Sequence, residues 1–179
     1  MKIKPILIFG ATLFACLGMH AVAGTVSATP GKFGAQWKDL LGEWAGENAL
    51  GKRSGACGFR FGLSEHVIIR TNHAELLAGG GAHAASHDDL MVIYPGLAAD
   101  KAKAVYFDNE GHMIEYDAEW SADGNTLTFL SKPGVGPQFR LTYKKLDPKT
   151  FSVTFEMIPP GQASFKPYTS GIIRRTGSR

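Results

Sequence analysis

The stretch HMIEYDAEWSADGNTLTFL, residues 112–130, reads as a β-hairpin. Ile114, Tyr116 and Trp120 alternate with Glu115, Asp117 and Glu119, a period of two that gives a strand one apolar and one polar face. Asp123-Gly124 is a strong signal for a tight turn between paired strands. Leu127 and Phe129 then resume the alternation.

Working outward, the same grammar repeats. Upstream, strands are expected over Trp44–Leu50, Gly55–Leu63, Val67–Glu75, Asp89–Tyr94 and Lys103–Asp108; downstream, over Gln138–Leu146, Phe151–Ile158 and Phe165–Arg175. Pro95-Gly96, Asn109-Glu110-Gly111, Lys132-Pro133-Gly134, Asp147-Pro148 and Pro159-Pro160-Gly161 break them, and Gly79-Gly80-Gly81 opens a loop running to Ser86. One helix is expected over Phe33–Leu41, where Phe33, Trp37, Leu40 and Leu41 recur at helical spacing before Gly42. Hairpin-length connections and the lack of helical crossovers argue against a parallel sheet. The expectation is an all-β chain: a ten-stranded antiparallel up-and-down barrel with one short N-terminal helix, closed so that no edge strand is left exposed.

Alternation assigns the faces. The inward set is expected to be Cys57, Phe59 and Phe61; Leu90, Val92 and Tyr94; Val105 and Phe107; Ile114, Tyr116 and Trp120; Leu127 and Phe129; Phe139, Leu141 and Tyr143; and Phe151, Val153, Phe155 and Met157. In the third strand the inward parity falls on Val67, Ile69, Thr71, His73 and Glu75. An aromatic interior of this kind either lines a cavity for a small apolar or amphipathic molecule or fills the barrel. The candidate lining is Phe59, Phe61, Tyr94, Phe107, Tyr116, Phe129, Tyr143 and Phe155, with His73 as the polar group that would orient a ligand. His73 with Glu75 is also an acid–base candidate.

The 179-residue chain fits one domain behind a targeting segment. Residues 1–24 have the three parts of a signal peptide: Lys2 and Lys4, the apolar run from Ile6 to Leu17, and the small-x-small pattern Ala21-Val22-Ala23. A cleaved signal, a flexible lead-in over 25–32 and a single barrel domain over 33–179 are expected, which makes the protein periplasmic or secreted with no membrane span in the mature chain. An uncleaved anchor helix, or lipidation at Cys16 in Leu13-Phe14-Ala15-Cys16, are the alternatives. Without Lys2 and Lys4, the 19 basic residues become 17 against 16 acidic ones, and they are scattered, so no nucleic-acid footprint is present. Loss of Cys16 would leave Cys57 alone and without an intrachain disulfide. His83, His87 and Asp89 are the only spacing that suggests a metal site, and in a loop that spacing guarantees no shared face. No cofactor is expected, and nothing in the sequence speaks to the oligomeric state.

Two further features converge. Gly42-Glu43-Trp44 opens the first strand and Arg174-Arg175 ends the last. This arrangement resembles the calycin pattern, in which a final-strand arginine packs across a first-strand tryptophan. The chain also resembles an uncharacterised bacterial family of exported lipocalin-like proteins, through residues 37–44, 70–75, 87–94 and 106–112. That likeness implies a barrel with Trp44 and Arg174 or Arg175 closing one end, and it implies no particular activity. Nitrobindin-type barrels are a more distant likeness; there a histidine near the C-terminal end ligates haem, and Tyr168 to Arg179 contains none, so haem is not expected.

Overall fold

The hairpin that decides the fold is present as β6 (Met113–Trp120) and β7 (Thr126–Ser131), paired antiparallel from Tyr116↔Ser131 to Trp120↔Leu127. Its turn places Gly124 at φ 66°, where a glycine carries no steric cost. The protein is seen in a computed structural model that describes residues 32–47, 53–76, 85–98, 100–134 and 136–177. The expected leader and most of the lead-in, Cys16, the Gly79-Gly80-Gly81 segment and His83 lie outside the described residues.

The chain is all-β. Its strands are β1 (Gly42–Glu47), β2 (Arg53–Gly62), β3 (Val67–Leu76), β4 (Ala85–Pro95), β5 (Lys101–Asp108), β6, β7, β8 (Gln138–Asp147), β9 (Thr150–Ile158) and β10 (Lys166–Arg175). All pairings are antiparallel, each strand pairs with its sequence neighbours, and β1 pairs with β10 to close the barrel. β4 begins at Ala85, inside the stretch read from sequence as loop. No helix among the described residues is long and apolar enough to cross a membrane.

The expected helix over Phe33–Leu41 is a five-residue 3-10 turn, Ala35–Asp39. Gly34 gives it no side-chain cap, and a segment this short gains too few hydrogen bonds to offset nucleation as an α-helix. It still buries Trp37 and Leu40 completely and covers the end of the barrel where β1 begins. Lys145 ties this turn to the barrel through Asp39 at 2.7 Å. Trp44 donates its indole N–H to the Leu40 carbonyl at 2.8 Å and meets Phe151 edge-on at 5.3 Å. Arg175 lies 4.2 Å over the Trp44 ring, a cation–π contact, and donates to the carbonyls of Leu41 and, at 2.6 Å, Asp39. Arg174 has the opposite parity and pairs with Glu47 at 2.9 Å.

Above this cap the interior is filled. Phe59 meets Tyr143 at 5.8 Å, Tyr143 meets Phe129 at 6.2 Å, and Phe129 meets Tyr116 at 6.2 Å, each edge to face. All four are buried, so at this level these expected lining residues contact one another. Cys57 is buried beside them, and burial pushes its thiol pKa up to about 11.

Three strands turn the opposite way from the sequence reading. The buried residues of β3 are Ile68 and Arg70, those of β4 are Met91 and Ile93, and those of β5 are Ala102 and Ala104. Val67, Ile69, Thr71, His73 and Glu75 therefore face outward, as do Leu90, Val92, Tyr94, Val105 and Phe107. Tyr94 is 39% and Phe107 42% exposed. The cause lies in Val67-Ile68-Ile69, Leu90-Met91-Val92-Ile93-Tyr94 and Ala104-Val105-Tyr106-Phe107. Each is apolar on both faces, and a one-residue shift then reverses every side chain without an obvious hydrophobic penalty.

Candidate functional site

Successive strands run in alternate directions, so the β3–β4, β5–β6, β7–β8 and β9–β10 connections gather at the end opposite the N-terminal turn. On the inward face there, β3, β4 and β5 present Arg70 and Asn72, His87 and Asp89, and Tyr106 and Asp108. The register sets Asn72, Asp89 and Asp108 side by side. Three neighbouring strands thus place polar groups where the rest of the barrel interior is mostly apolar.

The innermost members are Arg70 and Asp89, with side chains 7% and 4% exposed. They form an ion pair, and Asn72 donates to the second Asp89 oxygen at 2.9 Å. Burial alone would push the Arg70 pKa down, but the facing Tyr143 and Asp89 outweigh it, so the guanidinium stays charged. Its Nε is buried with no hydrogen-bond partner among the described residues.

Nearer the mouth, His87 Nε2 is 2.9 Å from the Tyr106 hydroxyl and 3.6 Å from Asp89. Its Nδ1 is 3.2 Å from Glu110. The Tyr106 hydroxyl donates to Asp108 at 3.2 Å. Burial, then the Asp89 and Asp108 charges, push the Tyr106 pKa well up, so its proton stays on and it acts as a donor. The β5–β6 turn supplies the last members: the backbone N–H groups of Glu110 and His112 donate to Asp108 at 3.0 and 2.9 Å, and the His112 ring lies 2.9 Å away.

Burial of Asp108 pushes its pKa up, but these four contacts overcome that and hold it below the usual carboxylate range. A depressed folded-state pKa contributes stability above the unfolded value and loses it as pH falls through the folded one. Asp108→Asn is therefore expected to flatten the acid limb of the stability curve below about pH 4, the ordinary aspartate value. Guanidinium titrations at a series of pH values check this; a parallel limb would show that Asp108 does not titrate with folding.

The residues that the sequence singles out divide between several places. Tyr116, Phe129, Tyr143 and Phe59 form the filled level, and Phe61 packs on Phe33 by the lower cap at 6.1 Å. Phe155 stacks on Phe139 at 5.7 Å. His73 is outside the barrel, half-exposed, with Nδ1 2.7 Å from Asp88, so it neither faces the interior nor pairs with Glu75. Of the metal candidates, His87 and Asp89 share the polar cluster, and among the described residues no group of His, Cys, Asp and Glu is arranged to hold a metal. Alternation alone misses Arg70, Asn72, Tyr106 and Asp108, because it reverses the parity of their strands. Correct parity puts Arg70, Asn72, His87, Asp89 and Asp108 on one wall.

Compared with known protein families and with curated proteins, the chain matches none. The functional reading therefore rests on this geometry.

Proposed function

We propose that this is an exported, lipocalin-like binding protein that takes a small amphipathic molecule into the end of the barrel opposite the N-terminal turn. The neighbour-to-neighbour strand order suits an up-and-down lipocalin-like topology, and the features of residues 1–24 suit export. The observation that carries the reading is a contrast along the barrel axis. The lower interior is packed solid, whereas at the upper end inward-facing Ile114, Phe139 and Phe155 are only partly buried. Ile114 lies beside Tyr106 in the β5–β6 register, and Phe139 and Phe155 belong to β8 and β9, so the mouth is polar over β3 to β5 and apolar over β6, β8 and β9. The polar wall offers a phenol, an imidazole and an amide around the anionic Asp108. That set suits a neutral head group, a hydroxyl or an amide, better than a carboxylate.

The test uses protein unfolded, stripped of lipid and refolded, with 1-decanol, decanamide and decanoate as probes. Decanol and decanamide are expected to raise the unfolding free energy, by about 2.7 kcal/mol at a hundredfold excess over Kd. Decanoate is expected to act more weakly, and Phe155→Ala to reduce the effect of all three. No stabilisation by any of them would leave the barrel without this role.

A further inference from the structure

The outer face of β3 to β6 is unusually apolar for solvent. Leu90, Tyr94, Phe107 and Met113, four of the large exposed apolar side chains, all belong to it. Contiguous exposed patches of this kind mark interaction surfaces more often than isolated apolar residues do. Through its centre runs one cross-strand row, Arg60–Ile69–Val92–Val105–Glu115, read directly from the register. Every member faces outward, because Phe59, Ile68, Met91, Ala104 and Tyr116 beside them are buried. The row has a cation at one end, an anion at the other and three β-branched residues between. Among the described residues neither Arg60 nor Glu115 forms an ion pair, whereas neighbouring Lys103 pairs with Asp117 and Lys101 with Glu119.

We propose that a second copy of this chain covers this face across a two-fold axis near Val92, setting Arg60 of each copy against the partner's Glu115. A two-fold interface requires one patch complementary to itself, and a row with opposite charges equidistant from its middle meets that requirement. With the axis in the interface and parallel to the strands, each level of the face meets the same level of the partner, so Arg60 meets Glu115 at both ends of the row. The patch continues into an open groove of about 590 Å³ over β1 to β5, which Leu90 and Phe107 line together with Glu43 and the His73–Asp88 pair. Gly58 lets the Glu43 carboxylate lie across its floor: a Cβ there would lie 2.8 Å from that carboxylate.

Four strand spacings of about 4.8 Å make the row about 19 Å long, which places the interface at the small end for specific association. A dimer with a micromolar or weaker dissociation constant is expected, so the measurement is sedimentation equilibrium from about 10 μM to about 1 mM. The full mature chain should pass from monomer to dimer in that range. Arg60→Glu and Glu115→Arg should each weaken the dimer by about tenfold or more. The double exchange, Arg60→Glu with Glu115→Arg, should restore it, and far-UV circular dichroism should be unchanged throughout. Val92→Asp should abolish it. A monomer up to the highest concentration overturns the proposal, as does a dimer indifferent to Arg60→Glu or not restored by the exchange. A monomer that instead co-sediments with phosphatidylglycerol vesicles also overturns it and assigns the face to a lipid surface.

Discussion

Arg70→Met is expected to destabilise the folded chain by about 3–5 kcal/mol, because it leaves the Asp89 carboxylate buried without its counter-charge. Asp89 is among the least exposed charged side chains of the barrel, and of its hydrogen-bond donors among the described residues only Asn72 would remain. Removing both charges, Arg70→Met with Asp89→Leu, should recover most of the loss, since an apolar pair avoids the cost of holding two ions out of water. The double variant should then be more stable than Arg70→Met, and with Asp89→Leu alone as the remaining corner of the cycle the coupling should exceed what independent sites show. Guanidinium unfolding at neutral pH measures wild type, both single variants and the double. A single variant within about 1 kcal/mol of wild type would mean that the pair is solvated in solution.

Trp44→Ala should cost a similar amount, about 3–5 kcal/mol on the usual scale for a buried aromatic, through a different mechanism. The indole is in contact on several sides: Phe151 at its edge, Arg175 over its face, the Leu40 carbonyl on its N–H. Its removal leaves a cavity and an unsatisfied carbonyl, and it loosens the N-terminal turn that covers the lower end. Trp44→Phe keeps the ring contacts and loses the hydrogen bond, so its cost should fall to about 1–3 kcal/mol. Equal losses in the two variants would show that the hydrogen bond, and not the packing, holds the closure together.

These two sites differ in how far the sequence discloses them. Trp44 and the terminal arginines are visible as a pattern, and only the choice of Arg175 over Arg174 needs coordinates. The β6–β7 hairpin is equally plain, because Glu115, Asp117 and Glu119 leave just one face for the core. Cys57, Phe59 and Phe61 have glycines and an arginine opposite them, and alternation assigns their face correctly. The polar cluster is hidden by the reverse situation. In β3, β4 and β5 both faces are rich in apolar residues, and the larger side chains, Tyr94 and Phe107 among them, are on the outside. What decides the parity is the set of partners that Arg70, Asp89 and Asp108 find in one another, and such partners come from three separate strands. Local alternation carries no record of them. The same reversal explains the outer apolar face: residues read as core are core-like in kind, and they are available to another surface.

The closure between β1 and β10 has a consequence for how the chain is made. Arg175 reaches the Leu41 carbonyl across 134 positions of sequence, and β1 has no other partner on that side. A chain that emerges N-terminus first can form its hairpins in turn, yet β1 and β9 remain unpaired edges until the last ten-residue strand is free. Completion therefore waits for the C-terminus. A chain cut short before residue 166 would yield a curved sheet with two live edges, a template for strand addition between chains.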